Sequence, residues 1–311
     1  MKALFPNNPR AQGASLPKVV RDKTVLSSDA VMPRANINYT SILLDAHDTG
    51  GAFTLSRTVL SPDADVPAPT RDYKEKLLFV QDGCVRVCIG VQTFELHAGE
   101  AILLPRGVPH SLSSTRCELA TVLCWEFESS AEEKLLLEER DSTNDLSASP
   151  ESQSASVAQF KIARADKGEC FAAFGETMRV LVTSSEALKR YCAVEMETPP
   201  LRGLPMHMHQ FHATAFLIYS GRYEFCLDDA RVVVEAGDVV WAPCRVPHSY
   251  RVLSSDPGRM FMLSAPGGFD TFFAGCVALC GIAQTMSPEW ESPEWERHCA
   301  KFGVSFLQSS R

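Results

Sequence analysis

The stretch from 83 to 110, GCVRVCIGVQTFELHAGEAILLPRGVPH, returns at 221 to 248 as GRYEFCLDDARVVVEAGDVVWAPCRVPH. Gly83, Gly99, Pro105 and His110 map onto Gly221, Gly237, Pro243 and His248, and every pair is 138 residues apart. A spacing kept across four such landmarks without a gap means that one folding unit occurs twice. The copies differ in their histidines. The same offset places His207 and His209 on Pro69 and Arg71, so a cluster of metal-ligand residue types is expected only in the second copy.

Around these landmarks run short apolar or alternating segments separated by turn signals. The first half holds YTSILLD, AFTLSRTVL, KLLFVQ, VRVCIG, TFELHAG, AILLP and LATVLCWEF. The second half holds RVLVTS, YCAVEME, AFLIYS, YEFCL, RVVVEAG, VVWAP and MFMLSAP. Strands of this length at this spacing predict an all-β chain with one small antiparallel barrel per copy. Residues 1–135 form the expected first unit, with an arm over roughly the first 36 residues that packs across a domain or frays. Within 131–140, AEEKLLLEER predicts a short helix. The Ser-rich polar stretch DSTNDLSASPESQSAS cannot bury enough apolar surface to fold, and 136–157 is the expected linker. The second unit is expected over 158–311. It closes with helical spacing in GFDTFFAGCVALCGIAQTM and in SPEWERHCAKFG, the latter capped by Ser292 with Pro293 in its first turn and ended by Gly303.

Composition narrows the function. A chain of 311 residues with 45% hydrophobic and 22% charged residues suits two ordinary globular domains. Its net charge of −8 lacks the basic excess that nucleic acid requires. No apolar run is long enough to span a bilayer, and the N-terminus lacks the apolar core of a signal peptide. A cytoplasmic protein with a small-molecule substrate is expected, with neither membrane nor nucleic-acid partners, and a homodimer is left open. The 11 cysteines are odd in number and scattered, which fits reduced thiols. Cys276 and Cys280 stand four apart on a helix, but no second pair lies nearby to complete a zinc site.

Two histidines two apart on a strand project to one face, so His207 and His209 can both enter a barrel, with His248 arriving from another strand. Imidazoles suit Fe, Zn, Cu and Ni, and Mn less well. His212, three residues past His209, has the opposite strand parity and is an alternative fourth ligand if the segment turns. Thr214 is a poor ligand and is expected to pack or donate a hydrogen bond in the pocket. Phe216, Phe225, Trp241 and Met262 are assigned to the pocket wall from strand alternation. In the first barrel Arg71 and Lys76 face solvent or the domain contact, or form an anion pocket, and His110 is a buried relic. Cys244 and Arg245 stand on the loop before His248.

The segments PMHMHQFHATAFLIYSG and EAGDVVWAPCRVPH resemble the two signature motifs of the cupin superfamily, with His207, His209, Gly221, Gly237, Pro243 and His248 in register. Thr214 stands in the place of the motif glutamate, Arg245 in that of a glycine, and Leu201 where the first motif opens with glycine. In the first copy, AGEAILLPRGVPH matches the second motif in full, whereas Pro69, Arg71 and Lys76 occupy the ligand positions of the first motif. Together with DTGGAF near 50 and PGGFD near 270, the chain resembles bicupins of the quercetin 2,3-dioxygenase-like group. The resemblance implies two tandem double-stranded β-helix barrels and one divalent metal per chain, Fe(II) favoured and Zn, Mn, Ni or Cu admissible, held by His207, His209 and His248. It further implies dioxygenase chemistry on an enol, hydroxy-ketone or aromatic substrate, with Thr214 and His212 as the candidate catalytic residues. The missing glutamate argues against flavonol cleavage itself. The alternatives are a redox-neutral isomerase, decarboxylase or cyclase, and a non-catalytic ligand-binding or storage cupin.

Overall fold

KLLFVQ and AFLIYS are apolar at successive positions, which suits a strand only where both of its faces are buried. The computed structural model, described here for residues 16–21, 38–62, 65–67, 73–115, 119–129, 160–165, 167–280 and 292–307, gives them two buried faces. The helix expected within 131–140, the linker, Pro69 and Arg71 lie outside the described residues.

After β1 (Lys18–Val20), the first barrel comprises β2 (Tyr39–Leu44), β3 (Thr54–Leu60), β4 (Asp65–Val66), β5 (Glu75–Asp82), β6 (Cys84–Ile89), β7 (Gln92–His97), β8 (Ala101–Leu104), β9 (His110–Ser114) and β10 (Ala120–Phe127). Then come β11 (Lys161–Ala163), β12 (Cys170–Ala173), β13 (Glu176–Val182), β14 (Cys192–Thr198), β15 (His207–His209), β16 (Ala213–Ser220) and β17 (Arg222–Leu227). The chain continues through β18 (Ala230–Glu235), β19 (Val239–Ala242), β20 (His248–Val252) and β21 (Gly258–Ala265). It ends in α1 (Phe269–Cys280), α2 (Pro293–Phe302) and β22 (Val304–Phe306).

Four sheets result. The first barrel pairs a six-stranded sheet, β11-β8-β5-β10-β3-β2, with a four-stranded one, β4-β9-β6-β7. The second pairs a seven-stranded sheet, β1-β19-β16-β21-β14-β13-β12, with a five-stranded one, β18-β17-β20-β15-β22. On β5, Leu78 and Val80 fill the first barrel, while Leu77 and Phe79 face the opposite way into a core shared with the second. On β16, Phe216 and Ile218 fill the second barrel, while Ala215 and Leu217 enter that shared core.

The barrels also exchange strands. β1, which precedes the first barrel, pairs with β19 of the second through Lys18 and Trp241; β11, which precedes the second, pairs with β8 of the first through Lys161 and Leu103. Leu103 and Trp241 are again 138 apart. Strand β1, the described part of the expected arm, thus lies on the second barrel's sheet, and β11, just past residue 158, lies on the first barrel's. Arginines reinforce the exchange: Arg57 donates to the Gly237 carbonyl, and Arg179 donates to that of Gly99 at 3.0 Å.

At the C-terminus, Ser292 caps α2 by accepting from the Trp295 N–H, and Gly303 ends it with a left-handed φ of 65°. Among the described residues no helix is long and apolar enough to cross a membrane. Nine of the cysteines, Cys192, Cys276 and Cys299 buried among them, are free thiols. Cys276 is buried with Sγ 3.7 Å from His298 Nε2, and no three-ligand group forms around it among the described residues.

Candidate metal centre

Strand β15 is short because it must hold only three residues, and its alternation puts His207 and His209 inside while Met208 is half-buried. Its neighbours fix its height in the barrel. His207 lies opposite His248 at the start of β20, and the other edge is covered by β22, with His207 opposite Phe306 and His209 opposite Val304. The ring centroids of His207 and His248 are 4.3 Å apart, and that of His209 is 4.9 Å from each. Their candidate ligand atoms lie within 4.8 Å of one another, and all three residues are buried.

Each ring is held from behind by Nδ1. His207 Nδ1 lies 2.9 Å from the Pro205 carbonyl and His248 Nδ1 2.9 Å from that of Val246. His209 Nδ1 is 3.4 Å from Thr214 Oγ1. A ring that donates through Nδ1 presents a lone pair on Nε2, the tautomer a metal needs. Burial pushes His207 and His209 well below the ordinary imidazole pKa, with His248 adding to the effect on both; burial takes His248 itself down to about 4. All three are therefore neutral near pH 7. The Nε2 of His248 is buried and has no hydrogen-bond partner among the described residues, which is costly for an acceptor unless something else satisfies it. Three neutral, convergent nitrogens, one of them orphaned, fit a divalent ion. A second grouping, Asp45, His47 and Asp48, sits on a turn where Asp48 is bound by Lys18.

The remaining expected residues scatter. Thr214 is fully buried, and its Oγ1 lies 3.4 Å from His209 Nδ1, so it contacts one residue of the cluster. His212 is turned away: its ring packs on Phe269 at 4.7 Å, it bonds the Gly267 backbone, and it is not among the convergent ligand atoms. Phe216 and Met262 line the cavity beside the imidazoles. Phe225 does not; it lies behind Phe216, at 5.4 Å. Trp241 is the clear correction. It shares the β19 face of Val239, enters the core between the barrels and meets Phe53 edge-on at 5.5 Å.

The cavity itself measures about 20 Å³ and is walled largely by aromatic rings that strand alternation did not reveal, Phe269 and Phe272 of α1 and Phe306 of β22. Phe269 contacts both His209 and His212, at 4.4 and 4.7 Å. The sequence signal was the apolar face of the closing helix, assigned to covering a sheet and not to the site. Leu201 and Arg245, which replace motif glycines, keep the glycine backbone with φ of 62° and 64°. The N–H of Arg245 donates to the His209 carbonyl at 2.7 Å, tying this strained loop to β15.

Two stacked antiparallel barrels with a single buried three-histidine centre among their described residues define a two-barrel protein with one candidate metal centre. The cupin domain model matches twice, at residues 56–126 and 194–264, again 138 apart, so the chain carries two cupin domains in tandem and is a bicupin. It is 26% identical over 95 residues to quercetin 2,3-dioxygenase of Bacillus subtilis, an alignment that takes in 30% of this chain and only 28% of that relative. The fold is similar to that of salicylate 1,2-dioxygenase from Pseudaminobacter salicylatoxidans, with a TM-score of 0.60 and 14% identity over 85% of this chain and 87% of the other. It is similar also to oxalate decarboxylase of Lactobacillus farciminis, with a TM-score of 0.56 and 13% identity over 84% and 93%. Procruciferin, an 11S globulin of Brassica napus, gives 0.61 and 10% identity over 83% and 87%. At these identities the structural likeness speaks for the fold alone.

Proposed function

We propose that the second barrel holds one divalent metal ion, Fe(II) in preference to Zn, Mn, Ni or Cu, through Nε2 of His207, His209 and His248, and that the protein is a dioxygenase acting on a small enol or hydroxy-ketone. The observation that carries this reading is the convergence of three buried, neutral imidazoles with an orphaned Nε2 on His248. An ion bound by three imidazoles keeps further coordination positions for a chelating substrate and supplies Lewis-acid and redox chemistry there. Around it Phe269, Phe306, Phe216 and Met262 exclude water, and Thr214 holds His209 in place. Among the described residues no carboxylate lines the cavity, so a substrate that enters already ionised suits it better than one that must first lose a proton.

The cavity size favours a second reading. A volume of about 20 Å³ admits little more than a water molecule. A flavonol would have to displace several phenylalanines, whereas a compound of a few atoms in a redox-neutral decarboxylation or isomerisation needs less. Stoichiometric O₂ uptake with an enol or hydroxy-ketone, measured on chain loaded with Fe(II), tests the proposal. Turnover without O₂ consumption would replace it with the redox-neutral reading, and a chain that neither carries nor takes up metal would end both.

A further inference from the structure

The cavity beside the three histidines is closed. At about 20 Å³ it holds little more than a water molecule, so nothing larger reaches the imidazoles unless a wall moves. Much of the wall is fixed. Phe216, Tyr250 and Met262 stand on β16, β20 and β21, whose backbones are laddered into the two sheets, and Phe306 stands on β22, which is itself paired with β15. Phe269, Phe272 and Phe273 come from α1, whose backbone hydrogen bonds close within the helix, so it can shift without breaking a strand ladder.

The attachment of α1 is that of a hinged part. It follows β21 after Gly267, whose N–H is held by the Lys189 carbonyl at 2.9 Å, and Gly268, which has a φ of 142° that other residues rarely adopt. Its first residue, Phe269, is wedged between two imidazoles, its ring 4.4 Å from that of His209 and 4.7 Å from that of His212. Its second, Asp270, reaches back to the loop between β13 and β14. One carboxylate oxygen accepts from the Ser184 hydroxyl, and the other from the Ser184 N–H at 3.0 Å. That loop is anchored to strands of the first barrel's sheet: Arg190 pairs with Glu75 of β5, and Lys161 of β11 binds Glu186 at 2.5 Å. Ser184 thus belongs to the frame and Asp270 to the part that can move. The closed arrangement is not fully satisfied, since Nδ1 of His212, whose ring packs on Phe269, is buried with no hydrogen-bond partner among the described residues. Water admitted on opening relieves that penalty, which lowers the free energy of the open state.

We propose that α1 is the door of the three-histidine cavity: it swings at Gly268, Phe269 is the panel that seals the imidazoles, and the Asp270–Ser184 pair is the latch that holds it shut. The inference rests on the reading of His207, His209 and His248 as a metal centre, because the bound ion and its substrate are what the door encloses. A latch acts on rates. More frequent opening speeds entry and exit alike and leaves the closed site, hence the equilibrium affinity, as it was, whereas the loss of a contact that supports a ligand changes the affinity itself.

Hydrogen exchange on the metal-free full chain tests the latch, and the rate at which zinc leaves the loaded chain tests what it guards. Ser184→Ala removes the hydroxyl half of the latch and keeps the N–H that holds the other oxygen. The amides of 269–280 should exchange at least about tenfold faster in this variant, as suits the loss of a hydrogen bond to a charged group, while those of β21 stay unchanged. Zinc uptake, and zinc release to an excess of a chromogenic chelator, should both quicken at least about tenfold, with the equilibrium constant within about twofold of the parent's. In Phe269→Leu, where the panel no longer fills the gap, release should already be fast and adding Ser184→Ala should change it less than about twofold. Unaltered exchange over 269–280, exchange raised equally in β21, or zinc release that quickens only through lost affinity would overturn the proposal. A parent chain that takes up no zinc would refute the metal centre together with its door, an outcome distinct from failure of the latch alone, which shows in exchange on the metal-free chain.

Discussion

Thr214 meets the His209 ring: its Oγ1 is 3.4 Å from Nδ1, and both side chains are buried. If the three histidines hold a metal as proposed, this contact supports one of its ligands, and contacts of this kind tune metal affinity through ring orientation and tautomer. Thr214→Val should lower metal affinity by roughly 10- to 100-fold while leaving the stoichiometry at saturation unchanged. Competition against a chelator of known affinity measures this, and an unaltered constant would remove Thr214 from the centre.

Metal content itself should be one ion per chain and should vanish in His207→Ala or His248→Ala, since two imidazoles do not make a site for a divalent ion. His110→Ala should keep the ion. Elemental analysis of the freshly purified variants decides the matter, and two ions per chain would refute the assignment to one barrel.

Acidity should act on the metal-free chain through the same histidines. Their folded pKa values lie below the ordinary 6.5, that of His248 at about 4, so between those values the unfolded chain binds more protons than the folded one. Stability then rises with pH across the window; it is complete above 6.5 and is lost as pH falls towards 4. Thermal unfolding midpoints of the metal-free chain should drop through this range, and the drop should be smaller in His248→Gln. The lowered values also extend metal retention below the pH at which free imidazole protonates.

Glu176 should act with the opposite sign. Burial pushes its carboxyl up to about 7, while hydrogen bonds from Thr198 at 2.7 Å and Tyr250 at 2.8 Å partly offset the shift. A raised folded pKa means that its contribution is full below the reference value of 4.5 and is lost as pH rises through 7. Glu176→Gln, which stays neutral and can still bond both hydroxyls, should match the parent near pH 4.5 and exceed it at pH 8 by up to about 3 kcal/mol. Denaturant unfolding at the two pH values reads the difference, and a constant offset between the two proteins would contradict the shift.

Arg245 holds a left-handed backbone that glycine adopts without strain, with φ of 64°. Arg245→Gly should therefore be neutral or stabilising by about 1 kcal/mol, with metal content preserved. Destabilisation beyond that amount would show that the guanidinium makes a contact worth more than the strain it brings.

The repeat was legible because turns demand particular residues: Gly83 and Gly221, both at positive φ, abut backbone where a side chain would clash, so the 138-residue offset is written in positions that sterics hold fixed. The three histidines were legible from strand parity, and the last helix from its Ser292 and Gly303 caps. Trp241 was misplaced because β19 is buried on both faces, and a continuous apolar strand carries no sign of which face is the barrel interior. The phenylalanine wall and the β22 cover come from residues that are 60 or more positions beyond His207 or join only on folding, which local pattern cannot foresee.

The exchanged strands β1 and β11 bear on how the two barrels depend on each other. Each barrel's sheet is completed by the segment that leads into the other, so neither half has a closed edge on its own, and Trp241 would lose both its covering strand and Phe53 if the first half were removed. Such a chain melts as one cooperative body and not as two domains on a tether. The architecture of each barrel is thereby held under the demands of the other, and each half serves its neighbour as a structural cofactor whatever either of them binds.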